Sequence, residues 1–433
     1  MNTKPDMGIT HQFAPGWQPV RMDLAAMARW FWMALLVMSI IRFSSAWFWS
    51  GGLMTKVGLV FPDTNVPLYL FQSLIWVTVV TAVAWDAYHH GLTPLWRSLR
   101  PVALLVAVAV VCCALGLNPA TSLRSLILWA ISVICGVLVG RHVRVDDAIR
   151  VSLWTSFWVL LISLLMSASG LQEDAAIQAV TGWRGLFTHK NLFGWAASLM
   201  WVLGLAFWSR AHWRLPTAVC VLALIGLVCA KSATSLVTSL AVLPHTLLFR
   251  ALWGKVSVGI GVLWLALYLV ALAAFAQFVM PFALEMLGKD PTFTGRTEIW
   301  GVYIDHALDH PWFGQGPAMF SSRSEVTEDL LNRLGADLGE VYLAHNMYIA
   351  ALGDIGCLGL LAFLGSLVAI VFVLPPSMDP ACARLVAGVG VLFMISGMAE
   401  NREVMYYGLH WFLLLAFRTM GLEKGPQRQE GSA

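Results

Sequence analysis

The sequence predicts an all-α, polytopic membrane protein, and three observations carry that prediction. Of its 433 residues 59% are hydrophobic and 12% charged, with a mean hydropathy of +0.74, so the chain lacks the polar surface of a water-soluble protein this long. Twelve apolar stretches are long enough to cross a bilayer: 24–46, 67–87, 101–117, 123–140, 150–169, 191–209, 215–230, 232–249, 256–281, 346–374, 382–399 and 404–420. With both termini placed in the cytoplasm, Arg97, Arg100, Arg141, Arg144, Arg150, Arg214, Lys255, Arg384 and Arg418 all fall inside, as the positive-inside bias requires.

In chain order, residues 1–23 read as a cytoplasmic lead-in, carrying Lys4, Asp6, Arg21 and Asp23 but no small-residue cleavage site. Residues 24–281 hold spans one to nine and include a short basic outward loop at 170–190; spans ten to twelve occupy 346–420, and 421–433 form a cytoplasmic tail. Between them lies one large outward loop, 282–345, with ten acids against four bases, a net of −6. Within it Ile299, Trp300, Tyr303, Ile304, Ala307 and Leu308 recur at helical spacing until Pro311, which predicts an amphipathic helix over 297–310. PWFGQGP (Pro311–Pro317) predicts a turn, and Glu325–Leu338 a second, polar helical stretch.

Several classes are excluded. The seven cysteines all lie in or beside apolar spans, so neither a disulfide framework nor a CxxC metal site is expected. A net charge of +3 spread over cytoplasmic loops, with no basic face interleaved with aromatics, argues against nucleic acid. The halves show no matching Gly/Pro-broken spans, which argues against an inverted-repeat transporter. Most of the 21 tryptophans lie toward span ends, where interfacial anchoring explains them.

The chemistry must therefore sit in the outward loops. RGLFTHKN (Arg184–Asn191) ends where the sixth span begins, so Thr188–Asn191 should form its first turn with unpaired amides facing outward. Arg184 adds a planar fork and Lys190 a point charge, together a pocket for a phosphate or diphosphate, although helix capping and headgroup contacts would use the same residues. TGRTEIW (Thr294–Trp300) sets Arg296 ahead of the amphipathic helix, free to bind an anion or to pair with Glu298. AHN puts His345 and Asn346 at the entrance of the tenth span, where a histidine suits proton transfer or serves only as an interfacial polar group. Glu400, Asn401, Arg402 and Glu403, before the last span, either orient His345 or an acceptor or pair among themselves. DHALDHP (Asp305–Pro311) spaces His306 and His310 at i,i+4 but is not HExxH, and no DxD or ExD pair lies in an outward loop. No metal and no cofactor is expected, so arginine and lysine must neutralise any leaving group.

At these residues the chain resembles the O-antigen ligase and Wzy-type polysaccharide polymerase superfamily, the bacterial enzymes that move undecaprenyl-diphosphate-linked glycans at the periplasmic face of the inner membrane. The resemblance lies in GLFTHKNLFG, then TGRTEIW and HPWFGQG, then AHNMYIAALGDIGCLG, in that order, and covers roughly the last 250 residues. It implies a twelve-helix, GT-C-like fold and a metal-independent, inverting transfer from an undecaprenyl-diphosphate-linked oligosaccharide. It makes His345 the base for the acceptor hydroxyl and Arg296 and Arg184 the diphosphate ligands; the reading of the residues themselves sets Lys190 beside them and Asn191, Asn346, Glu400 and Arg402 in support. The acceptor it implies is a second lipid-linked repeat, in a polymerase working with a chain-length regulator; the lipid A core, in a ligase; or a protein side chain. The HKN form of the short loop looks more like the exopolysaccharide polymerases. A flippase of lipid-linked oligosaccharides would set its cations along a central cavity, whereas here they gather in outer loops.

Overall fold

The computed structural model describes residues 24–46, 66–170, 181–209, 212–252, 296–319, 344–375, 377–398 and 408–423, with shorter pieces between 259 and 270 and at 329, 332–333, 400 and 404–405. These residues are helical or in turns. The helices are α1 (Leu24–Phe43), α2 (Val66–His90), α3 (Leu92–Leu115), α4 (Pro119–His142), α5 (Val145–Ala168), α6 (Lys190–Phe207), α7 (Arg214–Cys229), α8 (Ala233–Leu252), α9 (Arg296–Asp309), α10 (Met347–Val371), α11 (Pro380–Ser396) and α12 (Leu409–Glu423). Five of them, α1, α3, α4, α5 and α10, are long and apolar enough to span a bilayer, and α7, α8, α11 and α12 are shorter apolar helices. The described residues contain helices and no strand, and the chain is a multi-pass membrane protein.

Eleven of the twelve expected spans coincide with a helix in this order, and α9 is the amphipathic helix expected within the long loop. The lead-in at 1–23, most of the span expected at 256–281, Arg402 and the tail beyond Glu423 lie outside the described residues, as does most of the stretch from Glu325 to Leu338. Helix α12 runs on to Glu423, three residues into the expected tail.

One core unites the membrane helices, with Trp129, Phe363, Phe393 and Trp411 among its fully enclosed side chains. Helices α4 and α12 run parallel and meet backbone to backbone, since a Cβ on Gly136 would lie 2.6 Å from the Phe412 carbonyl and one on Gly140 2.5 Å from that of Ala416. Small residues at four-residue spacing are the usual means of such close approach in lipid.

The sequence reading did not anticipate a break in α10. Gly356, at φ 65° and ψ −174°, interrupts it, and the turn after α9 fills the gap. The amides of Gln315 and Gly316 donate to the carbonyls of Gly353 and Asp354 at 2.8 and 2.9 Å, while the amides of Cys357 and Leu358 donate to the carbonyls of Pro311 and Trp312 at 2.8 and 3.2 Å. The PWFGQGP turn thus supplies the hydrogen bonds that a broken helix forfeits, as buried backbone requires. The Leu117 amide donates to the Gln315 carbonyl at 2.9 Å, tying the same turn to the α3–α4 connection. A Cβ at Gly356 would lie 2.4 Å from the Trp312 carbonyl oxygen, in a conformation only glycine adopts readily. Gly356→Ala is expected to expel the turn and to lower the thermal melting midpoint in detergent by several degrees, the backbone strain alone costing about 1–3 kcal/mol. An unchanged midpoint would contradict this account of the break.

Candidate functional site

The short basic loop is pinned before any ligand is considered. The Gly185 amide donates to Ser167 Oγ at 3.0 Å and that of Leu186 to Ser163 Oγ at 3.4 Å, both hydroxyls on α5. The Trp183 amide donates to the Cys229 carbonyl at 2.9 Å, at the end of α7. Gly185 sits at φ 56°, and a Cβ there would meet the Ser163 Cβ at 2.3 Å. Arg184 therefore projects, half-buried, from a loop clamped at two points.

Helix α6 begins at Lys190, two residues later than the expected first turn at Thr188, with His189 as its cap. His189 Nδ1 accepts from the Asn191 amide at 3.2 Å, and the His189 carbonyl accepts from the Leu192 amide at 3.1 Å. This corrects the expectation of open amides at this terminus: the amides of Asn191 and Leu192 are already satisfied, so an anion here must rely chiefly on the side chains of Arg184 and Lys190. Asn191 itself lies in the first turn, half-buried.

The second half of the site comes from the junction of α10 and α11. Asn346 caps α10, its Oδ1 accepting from the amides of Tyr348 and Ile349 at 3.0 and 3.2 Å while its Nδ2 donates to the Met398 carbonyl at 3.3 Å. The Met347 amide donates to the Gly397 carbonyl at 2.7 Å. The start of α10 is thus stitched to the end of α11, which brings Glu400 beside His345. Trp300 on α9 donates from Nε1 to the Ala344 carbonyl at 2.6 Å, and Ile299, Val302, Tyr303 and Ala307 pack with Ala344 and Ala350. Helix α9 therefore braces the residue before His345.

His345 stands at φ 48°, a left-handed conformation uncommon for a non-glycine residue. Its Nδ1 is buried without a hydrogen-bond partner among the described residues, and Glu400 Oε2 lies 3.8 Å away. The His345 side chain is 22% exposed, so the ring has one enclosed edge and one open to solvent.

His189 joins the two halves. Burial holds its pKa below the ordinary histidine value; Lys190, Arg184 and His345 push the same way, against the pull of Glu400. One imidazole thus feels residues of both loops, which places Arg184, His189, Lys190, His345 and Glu400 in a single electrostatic neighbourhood. Its neutral ring also holds the α6 cap. A histidine with a lowered folded pKa contributes stability that is full above its unfolded value near 6.5 and is lost as pH falls through that value toward the folded one. The melting midpoint of the protein should fall in that acid window, and His189→Asn, a capping residue that does not titrate, should flatten this part of the profile. An identical acid limb in the variant would contradict the role given to His189.

Other sequence candidates fare differently. Arg296 forms the first turn of α9, and its side chain lies outside the described residues. His306, Asp305 and the second polar stretch pair with one another: His306 Nε2 contacts Asp329 Oδ2 at 2.9 Å, and Arg333 bonds both Asp305 and Asp329. Asp305 and His306 on the wet face of α9 thus hold Asp329 and Arg333, which accounts for the first acid–histidine pair of DHALDHP. Sequence reasoning missed an apolar groove of about 390 Å³ between α1 and α5, bounded by Ile41, Trp154, Trp158 and Ile162. Leu186, two residues from Arg184, also lines it.

Comparison with known proteins finds two similarities. The O-antigen ligase family profile matches residues 218–364, a stretch from α7 to the middle of α10 that includes Arg296 and His345. The chain is 27% identical over 337 residues, covering 72% of its own length and 74% of the relative's, to the exopolysaccharide production protein ExoQ of Rhizobium meliloti (strain 1021). Over these residues the chain is similar to the O-antigen ligase family and to an exopolysaccharide production protein.

Proposed function

We propose that the protein is an inverting glycosyltransferase of the bacterial inner membrane. It moves a glycan from undecaprenyl diphosphate to an acceptor hydroxyl at the periplasmic face, without a metal ion. What supports this reading is that His189, in the loop that carries Arg184 and Lys190, feels the charges of His345 and Glu400 from the other half of the chain, and that Glu400 lies 3.8 Å from His345. In this reading the twelve spans form a GT-C-like bundle, and 282–345 is its outer lid.

The roles follow from charge and position. The acceptor oxygen attacks the anomeric carbon, the bond to the diphosphate breaks, and the proton passes to His345. Glu400 beside Nδ1 favours the tautomer with its proton on that nitrogen, leaving Nε2 to accept. Arg184 and Lys190 take up the charge that develops on the departing diphosphate, and Arg296 is assigned the same role. Asn346, Asn191 and Arg402 support these groups. The groove between α1 and α5, ending at Leu186, suits the polyprenyl tail of a donor whose head lies at Arg184.

The kinship with an exopolysaccharide production protein favours a polymerase that joins lipid-linked repeat units, with a chain-length regulator as partner. The family description, O-antigen ligase, supports the second reading, transfer to lipid A core. Purified protein given only the undecaprenyl-diphosphate-linked repeat should produce a ladder of longer lipid-linked glycans, at an initial rate unchanged by chelator. Product that requires added lipid A core would establish the ligase, and no glycosidic product with either acceptor would overturn the proposal.

A further inference from the structure

A second cluster of chemically capable side chains lies at the other end of the bundle and is used by nothing described so far. Helix α4 starts beside the turn that fills the α10 break and runs 24 residues, about 36 Å, to His142. There the last turns of α2 and α4 meet. Asp86 on α2 is fully buried, and its Oδ1 is approached by His142 Nε2 at 2.8 Å, His90 Nδ1 at 3.2 Å and the Arg141 guanidinium at 3.3 Å. Its Oδ2 is equally buried and has no hydrogen-bond partner among the described residues. Donors therefore crowd one oxygen while the other is left bare, a costly state for a buried carboxylate.

We propose that Asp86, His90 and His142 form a three-ligand site for a borderline divalent cation of the zinc class, clipping α2 to α4. One ligand atom from each residue lies within 4.8 Å of the others. Ligands of a tetrahedral zinc ion stand about 3.3 Å apart, given bonds near 2.0–2.1 Å, so a small inward movement completes the set. Asp86 and His90 are spaced i,i+4 on one helix face, while His142 comes from a different helix. Two imidazoles and a carboxylate suit zinc, cobalt or nickel better than magnesium or calcium.

The surroundings fit. Trp32 stacks on His142 with ring centroids 4.3 Å apart, and Trp85 meets the same ring edge-on at 5.4 Å, fixing its orientation. His90 is 45% exposed, which gives an ion a path in and leaves room for a water ligand. Arg141 remains as the outer partner of the carboxylate oxygen that the cation does not take, as ligating carboxylates commonly require.

The test uses full-length protein purified in detergent through an affinity tag that contains no histidine, stripped with chelator and then titrated with Co²⁺. One equivalent should bind, with the visible ligand-field bands of a four-coordinate site, and the melting midpoint should rise with cobalt. His142→Gln and the more exposed His90→Gln should each weaken binding at least tenfold and abolish the cobalt-dependent rise, while melting like the stripped wild type. His245→Gln, a histidine buried elsewhere in α8, should bind cobalt normally. Absence of the bands in wild type, or their survival in both site variants, would overturn the proposal and leave the cluster a plain carboxylate–histidine–arginine network. None of these readouts depends on glycosyl transfer.

Discussion

Replacing His345 with alanine is expected to lower glycan transfer by about 10²–10⁴-fold, the range a positioned general base supplies. The reason is local. His345 is held in a left-handed backbone conformation, its neighbour Asn346 caps α10 with two hydrogen bonds and reaches the Met398 carbonyl with a third, and Trp300 fixes the residue before it. The cap and the brace use Asn346 and the Ala344 carbonyl, not the imidazole, so truncating that side chain leaves them intact. The variant should insert, fold and melt like wild type. Glu400→Gln should cost less, because it removes the group that orients the base and leaves the base itself. Transfer is measured as initial rate with purified protein; a rate within threefold of wild type in His345→Ala would remove the base assignment.

Replacing Arg184 with alanine is expected to reduce transfer by about 10²–10³-fold, comparable to losing one preorganised donor to developing negative charge. The amides of Asn191 and Leu192 are already engaged at His189 and cannot take its place. Arg184→Lys should recover part of the loss, since it restores the charge but not the two-pronged geometry. Gly185→Ala separates charge from position: its Cβ would strike Ser163 and displace the loop with every cation intact. A loss in Gly185→Ala approaching that of Arg184→Ala would show that placement of the guanidinium, not charge alone, is what the site requires.

Much of this was legible in the sequence, for physical reasons that stop at identifiable points. Hydropathy gave the helices because lipid forces every backbone group to bond within its own segment, and the apolar spacing of Ile299, Tyr303 and Ala307 gave α9. His345, Arg184 and Lys190 stood out because charge and imidazole are rare in so apolar a chain. That they share a neighbourhood was implied by the family resemblance and not by the residues themselves, since it depends on Ser163 and Ser167 clamping one loop and on the α10–α11 stitch placing Glu400. The open amides expected at the start of α6 failed because His189 accepts through its own ring, a choice of rotamer and tautomer that residue type does not reveal. Gly356 passed as one small residue among several, because a break in a membrane helix is tolerated only where another segment satisfies it, and that segment lies some forty residues earlier. Asp86 and His142 were not singled out, because only the packing of α2 against α4 brings them together.

The central claim is a division of labour within one site: Arg184 and Lys190 hold the diphosphate and His345 takes the proton. The most direct measurement compares donor binding with turnover in the same preparations, using undecaprenyl-diphosphate-linked oligosaccharide. His345→Ala should bind donor with a Kd within threefold of wild type and form no product, whereas Arg184→Ala should bind donor at least tenfold more weakly. Equal donor affinity in wild type and Arg184→Ala, together with undiminished turnover in His345→Ala, would contradict the account.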